Sequence, residues 1–274
     1  MPSLPFFEVD VFASGPFSGN PLAVVAEAED LSTEEMARIA AWTNFSETTF
    51  LLRPRRPEAD YRVRIFTPSG ELPFAGHPTL GTARAWLALG HEPAAGAEIV
   101  QECEAGLIPV RREAGLLLFA TPPRLRADPL TPGETAEIAA LAGVAVEDVV
   151  AAAWGDNGPG WRILQLPDAD AVRAANPVPG TGGLKYGLVG LEPAGGEHAY
   201  EVRAISVDRE DPVTGSLNGA VAQWLRERGL VPDRYTAVQG SRVGRDGRIR
   251  IVDEGREIWV GGRAALRVRG EIEV

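Results

Sequence analysis

The chain has 274 residues, with 27 Lys and Arg against 38 Asp and Glu, for a formal net charge of −11. That balance excludes general nucleic-acid binding, which needs a basic face, and the length suits one large domain or two moderate ones, each able to bury a core. The single cysteine, Cys103, excludes a disulfide framework or a cysteine-rich zinc site, and the three histidines show no metal-ligand spacing. No apolar run is long enough to span a membrane, and MPSLPFFEVDVF lacks the features of a signal peptide. The expectation is a cytoplasmic, reduced protein.

Residues 6–12 alternate apolar and polar as a half-buried strand does. SGPFSGNP is a glycine- and proline-rich loop, and LAVV reads as a buried strand. Ser32 with Glu35 is a capping-box signal for a helix over 33–42. Strands follow at 48–52 and 61–66, then a helix over 79–89 that Gly90 stops. Glycines break the next stretch into strands at 98–103, 106–112 and 115–120. TPPRLRADPLTPGE has the proline content of a linker and marks a boundary.

Thr131, Pro132 and Glu134 start a helix that runs through Leu141. Strands are expected near 148–154, 161–166, 186–190 and 199–206, and a helix near 217–228. The tail offers short strands at 235–239, 248–253, 257–260 and 265–269, with Asp246-Gly247 as a hairpin turn.

Two stretches look like copies of one element. Tyr61, Val63, Arg64, Glu71, Pro73 and Gly76 match Tyr200, Val202, Arg203, Glu210, Pro212 and Gly215 without a gap. One deletion after His77 then aligns Gly81, Trp86 and Leu87 with Gly219, Trp224 and Leu225. Each copy reads as a strand, a turn ending in Gly, and a helix with an open first turn. The predicted fold is therefore α+β: two similar lobes, each a curved, mostly antiparallel sheet wrapped on a helix. The first spans 1–120, the second 121–263, with an anion-binding cleft between them.

No phosphate-binding P-loop, dinucleotide fingerprint, serine-hydrolase elbow or zinc-peptidase motif occurs. No cofactor and no metal is implied, and proton transfer by side chains is the leading chemistry. Gly76-His77-Pro78-Thr79 opens the first long helix, with Pro78 placed at its first position and Thr79 and the N–H groups beyond it facing an anion. The plainer alternative is a stable turn with a satisfied histidine.

Asp211, Thr214, Gly215, Ser216 and Leu217 open the second helix, with Ser216 where His77 falls in the first copy. Capping alone would also explain these residue types. Ser46 and Glu47 lie between a helix and a strand rich in threonine and phenylalanine. Partial desolvation there would raise the Glu47 pKa and suit an acid/base, while a surface glutamate is the alternative. Asn20 would bond a ligand or shape its turn, and Cys103 reads as a buried apolar residue.

DVFASGPFSGNPLAVV, NFSETTF, RIFTPSGELPFAGHPTLGTA, EDPVTGSLNGAVAQWL and QGSRVGRDGRIRI, in that order, resemble the PhzF family of phenazine-biosynthesis isomerase-like proteins. The resemblance implies the fold of diaminopimelate epimerase, with residues from about 264 rejoining the first lobe, and a homodimer. It also implies cofactor-free isomerisation of a small carboxylated metabolite, the alternatives being an epimerase or racemase of a small acid that uses Glu47 with His77, or a non-catalytic binding protein on this fold. Glu47 would move the proton, and His77, Asp211 and Ser216 would position the substrate or assist. Asn20, Ser46, Gly76, Pro78, Thr79, Thr214, Gly215 and Leu217 would bind it, the helix starts at Gly76 and Gly215 holding the carboxylate. With one cysteine, a two-thiol racemase is ruled out by count. AISVDRED departs from the family's pattern before its second motif.

Overall fold

A computed structural model describes residues 3–94, 98–178, 180, 182–206 and 209–274. Val207 and Asp208, within the departing AISVDRED stretch, lie outside them, as do Met1 and Pro2 at the start of the first lobe. The chain forms two compact units, one of residues 1–120 with 261–274, the other of residues 121–260.

In the first unit the strands are β1 (Ser3–Val11), β2 (Asn20–Val25), β3 (Thr48–Leu52), β4 (Tyr61–Thr67), β5 (Gly70–Leu72), β6 (Glu98–Cys103), β7 (Gly106–Glu113) and β8 (Leu116–Ala120). Helix α1 (Thr33–Thr43) lies between β2 and β3, and α2 (Gly76–Ala88) between β5 and β6. The pairs β1–β2, β3–β4, β6–β7 and β7–β8 are antiparallel, whereas β2–β3 and β4–β6 are parallel. Both helices stand at the parallel joins, because parallel neighbours need a crossover connection. The capping box at Ser32 and Glu35 starts α1, as its sequence predicts.

The second unit repeats this order. It contains α3 (Pro132–Ala142), β9 (Ala151–Trp154), β10 (Arg162–Gln165), α4 (Ala169–Ala174), β11 (Lys185–Leu191), β12 (Tyr200–Ser206), β13 (Arg209–Asp211), α5 (Gly215–Glu227), β14 (Arg234–Gln239) and β15 (Gly247–Asp253). Here β9–β10, β11–β12 and β14–β15 are antiparallel, and β10–β11 and β12–β14 are parallel across α4 and α5. The last strands of the chain are β16 (Ile258–Gly262) and β17 (Ala264–Glu273), and β17 pairs antiparallel with β1 along its length.

The repeated segment builds the same hairpin and helix twice. The short strands β5 and β13, absent from the sequence reading, fold back on β4 and β12. Arg64 grips Glu71 through two hydrogen bonds of 2.7 and 2.6 Å, and Arg203 grips Glu210 through two of 2.9 and 2.7 Å. The matched Arg and Glu are therefore a fork-on-carboxylate clamp across each hairpin.

Ten of the 13 residues of α2 are buried, and the helix touches β1, β2, β3, β6, β7, β8 and β17, so it is a core helix enclosed by sheet. Nine of the 13 residues of α5 are buried.

The deletion expected after His77 does not exist. Both helices have 13 residues, and Gly90 and Gly229 stand just past their C-caps, Leu89 and Arg228. The first intrahelical bonds, Thr79 N–H to Ala75 O (3.2 Å) and Asn218 N–H to Thr214 O (3.1 Å), align Thr79 with Asn218. Gly81 then matches Ala220, and packing agrees. A Cβ on Gly81 would lie 2.4 Å from Leu22 Cδ2, and one on Gly155 would lie 3.1 Å from Ala220 Cβ. Each small helical residue faces the opening hairpin of its own unit.

The tail hairpin is also wider than expected. Gly247 already pairs with Gln239, so the turn spans 240–246 and contains a short 3-10 segment at Ser241–Val243.

Candidate active site

Helix α1 ends at Asn44, whose left-handed backbone (φ 57°, ψ 24°) reverses the chain. Thr43 and Thr48 hydroxyls meet at 2.8 Å across the turn. Phe45, Ser46 and Glu47 are therefore held in a short loop tied at both ends. Glu47 enters β3, a strand flanked by β2 and β4. Its side chain is 17% exposed, so solvent or a ligand can reach it, and its Oε2 lies 3.5 Å from His77 Nε2.

His77 is the second residue of α2 and is almost fully buried. Burial pushes its pKa down to about 3, so the imidazole is uncharged at neutral pH despite the nearby carboxylate. On its other side, the Asn20 side-chain nitrogen lies 3.4 Å from His77 Nδ1.

Asn20 is placed by the loop before β2. Gly19 N–H donates to Asp10 Oδ1 (2.8 Å), and Arg267 holds the other Asp10 oxygen and the Gly15 carbonyl. A Cβ on Gly19 would lie 2.1 Å from the Val11 carbonyl oxygen, so only glycine passes there.

The helix start differs from its prediction. Pro78 is the third helical residue, tolerated because the first-turn N–H groups have no intrahelical acceptor. Thr79 does not face an anion. It is fully buried, its N–H and hydroxyl both donate to Ala75 O, and its hydroxyl accepts from Gln101 Nε2 at 2.9 Å. Gln101 in turn accepts from the Tyr61 hydroxyl at 3.1 Å. The backbone N–H groups of Gly76 and His77 are the helix-start donors that an anion can use.

In the second unit, Asp211 closes β13 and accepts a hydrogen bond from the Thr214 hydroxyl. Thr214 is the N-cap of α5, and its N–H donates to Gln239 Oε1 at 3.0 Å. Gln239 also donates to Asp211 O and Thr214 Oγ1, each at 3.0 Å. Gly215 and Ser216 begin the helix. Ser216 Oγ accepts from the Trp161 indole at 3.0 Å, and Ser216 O accepts from Asn157 Nδ2 at 2.9 Å.

Leu217 points its side chain into the core, where a Cβ on Gly187 would come 2.6 Å from it, so only its backbone faces the helix start. A cavity of about 210 Å³ in this unit is lined by Arg173, His198, Glu201, Arg245 and Arg248 among others, and by none of the candidate residues.

Sequence reading missed four supporting residues: Gln101, Gln239, Asn157 and Trp161. Gln101 lies inside β6 opposite Tyr61, whereas Gln239 ends β14 opposite Val202, so the two do not share a register position and the repeat does not reveal them. Trp161 and Asn157 carried no local signal, because their partner Ser216 lies more than fifty residues away. Cys103 is half-buried at the end of β6, not fully buried as expected. Burial raises its thiol pKa, which makes it a poor nucleophile at neutral pH.

The arrangement supplies a reachable carboxylate beside an uncharged imidazole, next to free helix-start N–H groups. A carboxylate so placed can take up and release a proton, and helix-start N–H groups can hold an anion.

The family model for phenazine biosynthesis-like proteins matches residues 9–270. The chain is 33% identical to trans-2,3-dihydro-3-hydroxyanthranilate isomerase from Pseudomonas fluorescens, over 96% of this chain and 97% of that protein. It is 34% identical to antisense-enhancing sequence 1 of Schizosaccharomyces pombe, over 97% of each. The crystal structure of a PhzF-family phenazine biosynthesis protein from Bacillus anthracis covers 100% of both chains, with 25% identity and a TM-score of 0.84. The α+β architecture accords with a diaminopimelate epimerase-like fold. The chain belongs to the phenazine biosynthesis-like family, PhzC-PhzF, and is an enzyme of isomerase type.

Proposed function

We propose that this protein is a cofactor-independent isomerase that moves a proton between two carbons of a small carboxylated metabolite, with Glu47 as the acid/base. The observation that carries this reading is the Glu47–His77 contact: a partly exposed carboxylate 3.5 Å from an almost fully buried imidazole. Glu47 as carboxylate takes a proton from one carbon, the electron pair shifts along the substrate's double bond, and the carboxylic acid returns the proton at another carbon. Atoms and charge balance with no co-reactant. A substrate carboxylate is held by the N–H groups of Gly76 and His77. In the second unit, Gly215 and Ser216 offer the same kind of cradle, and we assign Asp211 and Ser216 to substrate positioning.

The relative from Pseudomonas fluorescens suggests a substrate resembling trans-2,3-dihydro-3-hydroxyanthranilate. An epimerase using Glu47 and His77 as paired bases fits less well, because a histidine with a pKa near 3 is a weak base.

The test is steady-state turnover across a panel of unsaturated carboxylic acids that begins with that compound, wild type against Glu47→Gln. The expected result is an intact fold and a rate lowered about 10²–10⁴-fold, the usual worth of a positioned acid/base. A fully active Glu47→Gln enzyme contradicts the assignment.

A further inference from the structure

Asn20 is fully buried at the first residue of β2, opposite Val11 of β1. Its amide nitrogen lies 3.4 Å from His77 Nδ1. With the Asn20 amide turned so that its NH₂ meets the ring, that group donates and Nδ1 is the acceptor in this contact. An uncharged imidazole that accepts at Nδ1 carries its proton on Nε2. Nε2 is the nitrogen that faces Glu47.

We propose that Asn20 is a positioning residue that locks His77 in the Nε2–H tautomer. The imidazole is then a hydrogen-bond donor toward Glu47 and whatever ligand lies beside it, and Glu47 is the base of this unit. The consequence for catalysis rests on the reading of Glu47 given above, but the tautomer itself does not.

The mooring of Asn20 is built for this role. Gly19 sits where no Cβ fits, its N–H is fixed on Asp10, and Arg267 holds Asp10 in turn. The second unit repeats the device with different residues. Trp161, just before β10, donates its indole N–H to the Oγ of Ser216, the second residue of α5. An indole N–H is donor only, so Ser216 accepts there and its own proton must point elsewhere. In each unit, a donor next to the second strand occupies the acceptor side of the helix's second residue. That residue becomes a donor.

The test is two-dimensional ¹⁵N–¹H correlation of the imidazole rings in the full chain at pH 7, with His77→Gln to assign His77 among three histidines. The expected spectrum for His77 is the pattern of a ring protonated at Nε2 alone. Asn20→Asp, whose carboxylate accepts, should convert it to the Nδ1–H or doubly protonated pattern. Asn20→Ala should give a mixture of tautomers, and serves if the aspartate variant does not fold.

A wild-type His77 protonated at Nδ1 overturns the proposal, as does an Nε2–H pattern unchanged in both variants. If Glu47→Gln abolishes turnover while His77 proves protonated at Nδ1, the tautomer proposal fails and the Glu47 assignment stands. With substrate in hand, Asn20→Asp should lower kcat about tenfold or more with little change in KM, the mark of a lost transition-state donor.

Discussion

His77 is held uncharged within 3.5 Å of a carboxylate because burial outweighs that neighbour. The cost of this arrangement should appear as pH-dependent stability. The folded-state pKa near 3 lies below the usual value of 6.5, so between them the unfolded chain binds a proton that the folded chain does not. The stabilisation is present above about pH 6.5 and is lost as pH falls toward 3. Its size is on the order of a few kcal/mol. In urea denaturation, wild type should lose more stability between pH 7 and pH 5 than His77→Gln does. Equal losses would show that His77 already titrates normally in the folded chain.

At this scale the sequence revealed residue types but not mooring. Glu47 and His77 stood out from their segments, and the helix start marked His77 as a polar finger. The pull of Asn20 on Nδ1, and of Trp161 on Ser216, depends on residues brought together from distant parts of the chain, and no local pattern records it.

Among the elements, the repeated hairpin shows how much one matched pair can say. Arg64–Glu71 and Arg203–Glu210 occupy equivalent places, but their settings differ. The side chains are 22% and 30% exposed in the first pair and 4% and 12% in the second. Arg203 also donates to the carbonyls of Val172 and Ala175, so it closes the end of α4 as well as the hairpin. Arg203→Ala should therefore cost about 3–5 kcal/mol, because Glu210 is left buried without its counter-charge. Arg64→Ala should cost about 1 kcal/mol, as solvent screens the Glu71 it leaves. Denaturant titration of the two variants checks this, and equal losses would contradict it.

Strands β3 and β6 and the capping boxes of α1 and α3 were legible because each is set by local chemistry. The strands β5 and β13 were not, since three residues carry no period and form only by pairing with a neighbour. Trp86 and Trp224 differ by one position within helices of equal length, so tryptophan identity and helix length prescribe different alignments.

Across the whole molecule, each unit runs through the same alternation of antiparallel and parallel strand pairs, with helices at the parallel joins. Two like lobes were legible because the repeat preserved turn glycines and the clamp residues. The pairing of β17 with β1 was foreseen only through the family resemblance, because sequence separation hides a contact between the two ends of a chain. It makes the first unit depend on its last eleven residues. Removing residues 264–274 leaves β1 with β2 alone and strips it of the partner that runs from Ser3 to Val11. Calorimetry should then show the unfolding transition of the first unit weakened or lost, while an unchanged transition would mean that β17 is dispensable.

The mechanism rests on Glu47 taking a proton from one carbon and, as the acid, delivering one to another. It is tested most directly by turning over the substrate in D₂O and locating deuterium in the product by NMR, wild type against Glu47→Gln. Glu47 is 17% exposed and its acid form exchanges with solvent before it redelivers, so deuterium is expected at the carbon that receives the proton, in the wild-type product alone, with the double bond displaced. Deuterium at an unmoved stereocentre, or equal labelling by Glu47→Gln, would contradict it.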